Sequence, residues 1–417
     1  MKPISPFGLP IGITFSFWTL MGLFRHVEET YINKKPATLF TEDYRKIGII
    51  IPAHNEELVI QTCISRLKRY VSSQQIFVVS DGSTDNTTVV ARKEGCSVLD
   101  LDASIGKARS IKQALEKFWL IQQYEYILIL DADTKVHAEF LPRALRLIND
   151  PSYAVVFATV GIEDRTSKWP NMRWYYISYR ERLDYILRYF IIFGQTWKYT
   201  NAMPVVPGFC ALYRTSVLSK VRIDTPGIVI EDFNLAFQIH KKKLGKIGYE
   251  LGLTGWSQNP DNLKDYCRQV FRWNIGLFQT MKEHGIWPSF FWISLATFTF
   301  EMLVFSFSTA ILPVYLILII TGIAENPNLS IHVEALSAWY DPYVTISLGG
   351  IIVILYIFDY LLSIMIGIVN KRPHYIVYGL FYFILQYITA CILLISIIPG
   401  FTSHSDGTWK SPRRQDE

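Results

Sequence analysis

Charged side chains are distributed so unevenly along this chain of 417 residues that they divide it into two kinds of segment. Arg25–Trp287 carries 63 of them, whereas Pro288–Gly400 carries only seven. The first density is typical of a soluble globular domain, and the second is typical of helices that cross a lipid bilayer. The sequence therefore predicts a soluble domain followed by a membrane region.

Four apolar runs are candidates for spanning helices, each of which requires about 20 residues. The first, Phe7–Phe24, has 18 residues and no charge, so it qualifies narrowly. A cleaved signal peptide is the weaker alternative, because Lys2 is the only cation before the run and no small-residue cleavage site follows it. The other three runs are Met302–Gly322, Tyr343–Val369 and Tyr375–Pro399.

These runs set the predicted domain boundaries. Arg25, Lys34 and Lys35 follow the first run, and cations flank membrane helices on the cytosolic side, so they place the soluble domain in the cytosol. The predicted parts are an N-terminal transmembrane helix in 1–28, a cytosolic domain in 29–285, a membrane region in 286–400 and a tail in 401–417.

The number of C-terminal spans stays open between three and four. Ile286–Phe300 is rich in Trp and Phe, and it is either an interfacial helix or one half of a tight hairpin. The positive charges do not decide between the counts. Neither count places both Lys371-Arg372 and the basic tail Lys410–Arg414 in the cytosol.

One ionisable residue, Asp359, lies inside an apolar span. Such a group usually faces a partner or a wet cavity. It is therefore either a lining residue of a polymer path or a carboxylate hydrogen-bonded to a neighbouring helix, through Tyr356 or Tyr360.

Cysteine usage and net charge exclude some classes of protein. The five cysteines form no Cys-x-x-Cys pair and lie at no metal-ligand spacing, which indicates reduced thiols: Cys63, Cys96, Cys210, Cys267 and Cys391. The net charge of +5 is not gathered into dense basic tracts, so we expect no nucleic-acid partner.

Strands alternate with helices in the first part of the soluble domain. The predicted strands are Ile47–Pro52, Gln75–Ser80, Ser97–Leu101 and Tyr126–Leu130. The predicted helices between them are Glu56–Tyr70, Asp85–Gly95 and Arg109–Trp119. This alternation predicts an α/β fold with a mostly parallel sheet, in which ligands bind beyond the carboxyl ends of the strands.

Polar clusters follow three of these strands: His54-Asn55-Glu56, Asp81-Gly82-Ser83 and Asp131-Ala132-Asp133. We expect them to converge on one crevice. Asp131 and Asp133 follow their strand directly, and residues two apart in an extended segment point the same way. Two close carboxylates are tolerated when a hard divalent cation such as Mg²⁺ or Mn²⁺ neutralises them, commonly together with substrate phosphates.

The segment around Asp81 has two compatible interpretations. Gly, Ser and Asp favour a turn that caps a helix. Asp81 also offers a carboxylate that accepts a nucleobase N–H. We expect Asp81 to bind the nucleobase and Asp85 to cap the helix that follows.

Two later segments also carry candidate chemistry. Asp232 in Glu231-Asp232 is either a general base or part of an acidic helix N-terminus stabilised by the helix dipole. Gln269, Arg272 and Trp273 share a helix face, on which Arg would pair with a leaving diphosphate and Trp would stack on a sugar. The alternative for this segment is an amphipathic helix resting on the membrane surface.

The order of these motifs resembles the family 2 inverting glycosyltransferases, and most of all their processive branch of chitin, hyaluronan, cellulose and poly-N-acetylglucosamine synthases. The matching segments are Ile51–Glu57 (IPAHNEE), Ser80–Thr87 (SDGSTDNT), Gly106–Ala108 (GKA), Asp131–Asp133 (DAD), Glu231-Asp232 (ED) and Gln269–Trp273 (QVFRW). The resemblance implies a cytosolic nucleotide-diphospho-sugar transferase domain of the GT-A type.

The resemblance also implies a role for each matching residue. Asp232 would be the catalytic base, and Asp131 and Asp133 would hold Mg²⁺ or Mn²⁺. The residues assigned to the donor are Pro52, Glu56, Asp81, Lys107 and Asp131. The residues assigned to the acceptor and the diphosphate are Glu231, Gln269, Arg272 and Trp273.

The chain departs from the family pattern at a few positions. Ser80 stands where many members have a further Asp, so uracil recognition would rest on Asp81. Asn234 stands where a second Asp often follows the Glu-Asp pair. Cys210 is unusual in the predicted acceptor loop, and the tail Trp409–Arg414 resembles a gating loop only loosely.

The implied function is inverting transfer from a UDP-sugar donor to a growing glycan at a lipid bilayer, giving a β-linked polysaccharide that is exported. N-acetylglucosamine is the favoured sugar. One alternative is a single transfer to a lipid-linked acceptor. Another is a non-catalytic membrane scaffold or nucleotide sensor, which fits less well because Asp131, Asp133 and Asp232 are all present.

Overall fold

The structure is a computed structural model that describes residues 43–161, 172–189, 199–250, 252–320 and 348–407, together with Phe17, Leu20, Met21 and Phe24. The predicted N-terminal span Phe7–Phe24 therefore lies outside the described residues except at those four positions. The basic tail Lys410–Arg414 and the tail motif Trp409–Arg414 lie outside them as well.

A seven-stranded sheet with the strand order β3-β2-β1-β4-β8-β6-β9 forms the centre of the soluble domain. A smaller sheet has the order β5-β10-β7. The strands are β1 (Ile47–Ala53), β2 (Ile76–Asp81), β3 (Ser97–Leu101), β4 (Tyr126–Leu130), β5 (Lys135–Val136), β6 (Tyr153–Phe157), β7 (Thr159–Val160), β8 (Cys210–Arg214), β9 (Lys246–Gly248) and β10 (Thr254–Trp256).

The four predicted strands are confirmed as β1 to β4, and they pair in parallel. Every residue of β1, β2 and β4 is buried, as expected for parallel strands covered on both faces. β8 pairs antiparallel with both β4 and β6, so the sheet is mostly rather than wholly parallel. The carboxyl ends of β1, β2 and β4 therefore lie side by side, which places their polar clusters together.

The helices before residue 286 lie between these strands, except for the last of them, which follows β10. They are α1 (Ile60–Leu67), α2 (Thr87–Lys93), α3 (Lys107–Lys117), α4 (Leu120–Gln123), α5 (Phe140–Ile148), α6 (Met172–Tyr189), α7 (Thr215–Leu218), α8 (Glu231–Lys241) and α9 (Leu263–His284). The prediction that the first helix begins at Glu56 is wrong by four residues. Asn55 adopts the left-handed conformation, with φ of 57°, and the chain turns before the helix starts at Ile60.

Four further helices follow the soluble domain: α10 (Phe290–Ile320), α11 (Leu348–Val369), α12 (His374–Gly379) and α13 (Tyr382–Thr402). Within the described residues, Phe290–Val314 of α10 and the whole of α13 are long and apolar enough to cross a bilayer. Helix α11 has 22 residues and is apolar in sequence apart from Asp359.

Two predicted boundaries in this region are wrong. Ile286–Phe300 is not half of a hairpin, because α10 continues without a break from Phe290 into the predicted span that follows. Tyr375–Pro399 is not one helix, because α12 ends at Gly379 and α13 begins at Tyr382. The count of spans stays a prediction.

Asp359 on α11 is paired with a charged partner. The guanidinium of Arg182 on α6 donates to the Asp359 carboxylate, and its Nε donates to Ser363 Oγ at 2.7 Å. The hydroxyls of Tyr356 and Tyr360 donate instead to backbone carbonyls of Leu380 and Ile376. The interpretation as a hydrogen-bonded carboxylate is therefore confirmed, with Arg182 as its partner rather than either tyrosine.

Helix α13 runs alongside α9. Near the start of α9 the Tyr266 hydroxyl forms a hydrogen bond with the Thr389 hydroxyl, and near its end the Gln279 amide donates to Ser403 Oγ. At Gly400 a Cβ atom would lie 2.5 Å from Phe278, so only glycine allows this close approach. The apolar C-terminal helices are thus joined directly to the helix that carries Gln269, Arg272 and Trp273.

Candidate active site

One cavity of about 860 Å³ opens at the carboxyl ends of β1, β2 and β4. It is lined by all eleven residues predicted for the site: Pro52, Glu56, Asp81, Lys107, Asp131, Asp133, Glu231, Asp232, Gln269, Arg272 and Trp273. Residues separated by up to 221 positions in the sequence are therefore brought to one surface. The role of each of these residues stays a prediction.

The Asp81 carboxylate is bound by the loop that precedes α3. Its two oxygens accept hydrogen bonds from the backbone of Ile105 at 2.8 Å, the backbone of Gly106 at 3.0 Å and Ser104 Oγ at 2.9 Å. An ionised carboxylate has about four acceptor sites, so one is left for a ligand. Asp81 thus holds in place the loop from which Lys107 enters the cavity.

Lys107 joins the carboxylates on the two sides of the cavity. Its Nζ lies 2.7 Å from Asp131 and 3.0 Å from Glu231, and it donates to the Gly208 carbonyl at 3.1 Å. Burial alone would lower the Lys107 pKa, but the carboxylates of Asp131, Glu231 and Asp232 raise it well above its usual range. A lysine as the first residue of a helix opposes the helix dipole, so this position is explained by the carboxylates rather than by α3 itself.

Asp131 and Asp133 fit a divalent cation. Asp133 is buried and accepts a hydrogen bond from Ser257 Oγ at 3.1 Å. Burial raises the pKa of Asp131, and the nearby Asp133 charge raises it further, against the opposing effect of Lys107. A hard cation would relieve this repulsion. The described residues contain no group of three or more His, Cys, Asp or Glu side chains at metal-binding spacing, so the two carboxylates would bind it together with donor phosphate oxygens.

Asp232 lies at the start of α8, where it is enclosed by Gly208. A Cβ atom at Gly208 would lie 2.1 Å from Asp232 Oδ1, so the carboxylate occupies the space that any other side chain would need. Burial raises the Asp232 pKa to about 7, and the adjacent Glu231 charge also raises it. Glu231 behaves differently, because burial raises its pKa but Lys107, Arg272 and a backbone hydrogen bond together lower it below its usual value. Of the two neighbours, Asp232 is therefore the one suited to exchange a proton near neutral pH.

Helix α9 contributes the remaining side chains. Burial lowers the pKa of Arg272, while the carboxylates of Glu231, Asp232 and Asp131 act in the opposite direction, so its charge is directed at the same acidic surface as Lys107. The ring of Trp273 lies under the guanidinium of Arg180, 4.4 Å from the ring centroid. The lining of the cavity thus combines acidic side chains with cations, among them Lys107, Arg180 and Arg272.

Sequence reasoning missed several residues that shape the site. Gly208, Ser257 and Arg180 are not among the residues that the sequence singled out. The polar run Ser257–Asn259, which directly follows β10, was a usable signal for Ser257. No local signal marks Arg180 or Gly208, because each acts on a residue distant in sequence.

The structure corrects the expectation about Cys210 and shows where Asn234, a second departure from the family pattern, lies. Cys210 is fully buried on β8, paired in register with Leu130, and does not line the cavity, so it says nothing about the acceptor. Asn234 is fully buried on α8, where its amide donates to the Arg222 carbonyl at 2.9 Å. Its contacts are those of a structural residue.

Replacing Gly208 with alanine is expected to lower the catalytic rate roughly 100-fold, because a displacement of about 1 Å in a reacting group costs that much. The new methyl group would collide with Asp232 Oδ1 and approach Lys107 Nζ at 3.1 Å. Turnover is measured together with the midpoint of thermal unfolding. A variant that unfolds like the wild type and turns over at the wild-type rate would contradict this role.

Residues 48–222 match the family described as Glycosyl transferase family 2. The chain is 24% identical over 299 residues to the poly-beta-1,6-N-acetyl-D-glucosamine synthase of Staphylococcus aureus (strain COL), a match covering 70% of this chain and 68% of that protein. The enzyme of the same name from Staphylococcus epidermidis is 22% identical over 303 residues, covering 69% of this chain and 68% of that protein.

The fold also resembles that of a mannosyltransferase from Pyrobaculum calidifontis, solved in complex with GDP-Man and Mn²⁺. The TM-score is 0.51 at 15% identity, and the match covers 93% of this chain and 96% of that chain. A likeness at this identity shows a shared fold. The predicted α/β fold of the GT-A type with a mostly parallel sheet is thereby confirmed.

Proposed function

We propose that this glycosyltransferase transfers sugar from a UDP-sugar to a growing β-linked glycan, and the match of residues 48–222 to the family described as Glycosyl transferase family 2 supports the proposal. The observation that carries this proposal is the single cavity lined by all eleven predicted site residues. The same cavity continues to Leu295, Phe298 and Met302 of α10 and to Thr389 of α13. A donor site and a path toward the apolar helices thus share one space.

The donor is assigned to the wall formed by β1, β2 and β4. Asp81 has one acceptor site left for a uracil N–H, and Pro52 and Glu56 line the same wall. Lys107 contributes a positive charge beside the position of the diphosphate. A Mg²⁺ or Mn²⁺ ion held by Asp131 and Asp133 would neutralise negative charge on the leaving diphosphate.

The transfer step is a direct displacement. Asp232 takes the proton of an acceptor hydroxyl, and that oxygen forms a bond to the anomeric carbon of the donor sugar. The bond between that carbon and the diphosphate oxygen breaks with its electron pair, and UDP leaves. Because one displacement inverts the anomeric centre, an α-linked donor gives a β linkage. Arg272 stabilises the charge that develops on the diphosphate, and Gln269 and Trp273 hold the acceptor sugar.

A membrane location with a cytosolic catalytic domain is part of the proposal. The outer surface of α10 and α13 is apolar, with Ile293 64% and Ile398 73% exposed, and such surface is costly in water. The bilayer would cover it. Because the cavity reaches α10 and α13, the elongating glycan would leave toward the membrane, which supports export of the product.

The test uses the purified full-length chain in lipid nanodiscs with UDP-N-acetylglucosamine, UDP-glucose or UDP-glucuronate, each with Mg²⁺ or Mn²⁺. The two staphylococcal relatives are named for an N-acetylglucosamine polymer, so we expect UDP release and long product with UDP-N-acetylglucosamine. Chelation with EDTA should abolish turnover. A single sugar on a lipid would replace the polymer proposal with the single-transfer alternative, and no UDP release from any donor would overturn sugar transfer from UDP donors altogether.

A further inference from the structure

One face of α6 lines the active-site cavity, although no motif of the site falls on this helix. The residues of this face are Arg180, Leu183, Asp184 and Leu187. Their spacing of three and four residues places them on a single side of the helix. Two of them form a buried ion pair, in which Arg180 donates to Asp184 Oδ1 at 2.6 Å.

This ion pair leaves an unusual group in the cavity. The second carboxylate oxygen, Asp184 Oδ2, is buried without a hydrogen-bond partner in the part of the chain that the structure describes. A buried acceptor without a donor is unfavourable, and more so when it is charged. Burial raises the pKa of Asp184 to about 6 for the same reason, although Arg180 opposes the shift. A ligand that reaches this oxygen at the cavity wall would supply the missing donor.

Arg180 connects this carboxylate to the predicted acceptor platform. Its guanidinium lies over the Trp273 ring, 4.4 Å from the centroid, and donates to the Asp184 carboxylate at 2.6 Å. A cation stacked on an indole in a buried site contributes about 1–2 kcal/mol. The ring of Trp273 is thus held from α6 as well as by its own helix.

Two more polar atoms without partners among the described residues line the same cavity. They are the acceptor Gln269 Oε1 and the donor Asn274 Nδ2, and Asn274 directly follows Trp273. Together with Asp184 they offer one donor and two acceptors, while Leu183 and Leu187 add apolar surface. Sugars match such a lining, because each hydroxyl both donates and accepts and the ring carbons form an apolar face.

We propose that Arg180 and Asp184 form a glycan-binding subsite beside Trp273, in which Asp184 Oδ2 accepts a hydrogen bond from a sugar hydroxyl or amide N–H of the growing chain. Arg180 is a positioning residue that sets the Trp273 ring. The inference rests on the proposed function, because the occupant is the product of that reaction. The subsite on α6 would help to retain the growing glycan and would take no part in bond formation.

The test compares Asp184→Asn with Glu181→Gln in the full-length chain. Both changes turn an acid into an amide on α6, but Glu181 faces Tyr375, whose hydroxyl donates to it at 3.0 Å, and it does not line the cavity. We expect Asp184→Asn to raise KM for a β-linked oligosaccharide acceptor about tenfold and to shorten the product several-fold. The kcat at saturating acceptor and the UDP affinity should stay within about threefold of the wild type, and Glu181→Gln should behave as the wild type.

Each outcome of this comparison is decisive. UDP binding by Asp184→Asn with wild-type affinity establishes that the variant is folded. If it does not fold, Asp184→Glu keeps the carboxylate but moves it by one methylene, and it should show the same rise in KM. Wild-type KM and product length in the folded variant, or equal losses in Glu181→Gln, would overturn the subsite while leaving sugar transfer intact. A wild-type chain that releases no UDP would instead overturn the proposed function, and the subsite with it.

Discussion

Replacing Asp232 with asparagine is expected to lower the rate of sugar transfer by roughly two to four orders of magnitude, which is what a positioned general base typically contributes. Asparagine keeps the size of the side chain beside Gly208 but does not take up the acceptor proton. UDP affinity should change by less than about threefold, because Asp81, Lys107 and Asp131 are left in place. The rate is followed as UDP release with saturating donor and acceptor, and affinity by calorimetry.

The pH dependence gives this prediction a second readout. Burial raises the Asp232 pKa to about 7, and the base is active only when deprotonated. The wild-type rate should therefore fall about tenfold per pH unit below pH 7 and level off above it, and this acid limb should be lost in Asp232→Asn. Asp224→Asn is the matched control, because Asp224 pairs with Lys112 at 3.0 Å and does not line the cavity. Wild-type turnover in Asp232→Asn would remove Asp232 from the mechanism.

Four of the seven strands of the central sheet could be predicted from sequence, because they are short and largely apolar runs, three of which are fully buried. β3 and β4 have the predicted limits, and β1 and β2 differ by a residue at their ends. Once the strand ends are known, the position of Asp81, Asp131 and Asp133 follows from the parallel pairing. This part of the site therefore depends on local sequence and on one general rule of sheet topology.

The other side of the site could not be predicted in the same way. Gly208 encloses Asp232, and Arg180 stacks on Trp273, which is 93 positions away. Each of these contacts depends on how α6, α8 and α9 pack, and no periodicity encodes that packing. The function of Asp81 shows the same limit. Its position was predicted, but its three bonds to the loop before α3 emerge only in the folded chain.

The second large effect is expected at Lys107, where methionine would remove the charge but keep most of the length of the side chain. The ammonium group lies between Asp131 at 2.7 Å and Glu231 at 3.0 Å, and only 17% of the side chain is exposed. Removing one partner of a buried ion pair costs about 3–5 kcal/mol of folding stability, because the remaining charges lose their compensation. The rate should fall by roughly two to three orders of magnitude, as when a preorganised charge is removed from a transition state.

If Lys107 acted only on folding stability, its removal would leave the pH dependence of the rate unchanged. The pH dependence therefore separates an effect on stability from an effect on Asp232. Lys107 lowers the Asp232 pKa, so its removal should shift the acid limb of the rate to higher pH. Lys112→Met on the same helix is the matched control, because Lys112 is 44% exposed and pairs with Asp224 outside the cavity. Lower stability with an unshifted acid limb would limit Lys107 to holding α3 in place. A shifted limb with wild-type UDP affinity would instead place its effect on Asp232 rather than on the donor.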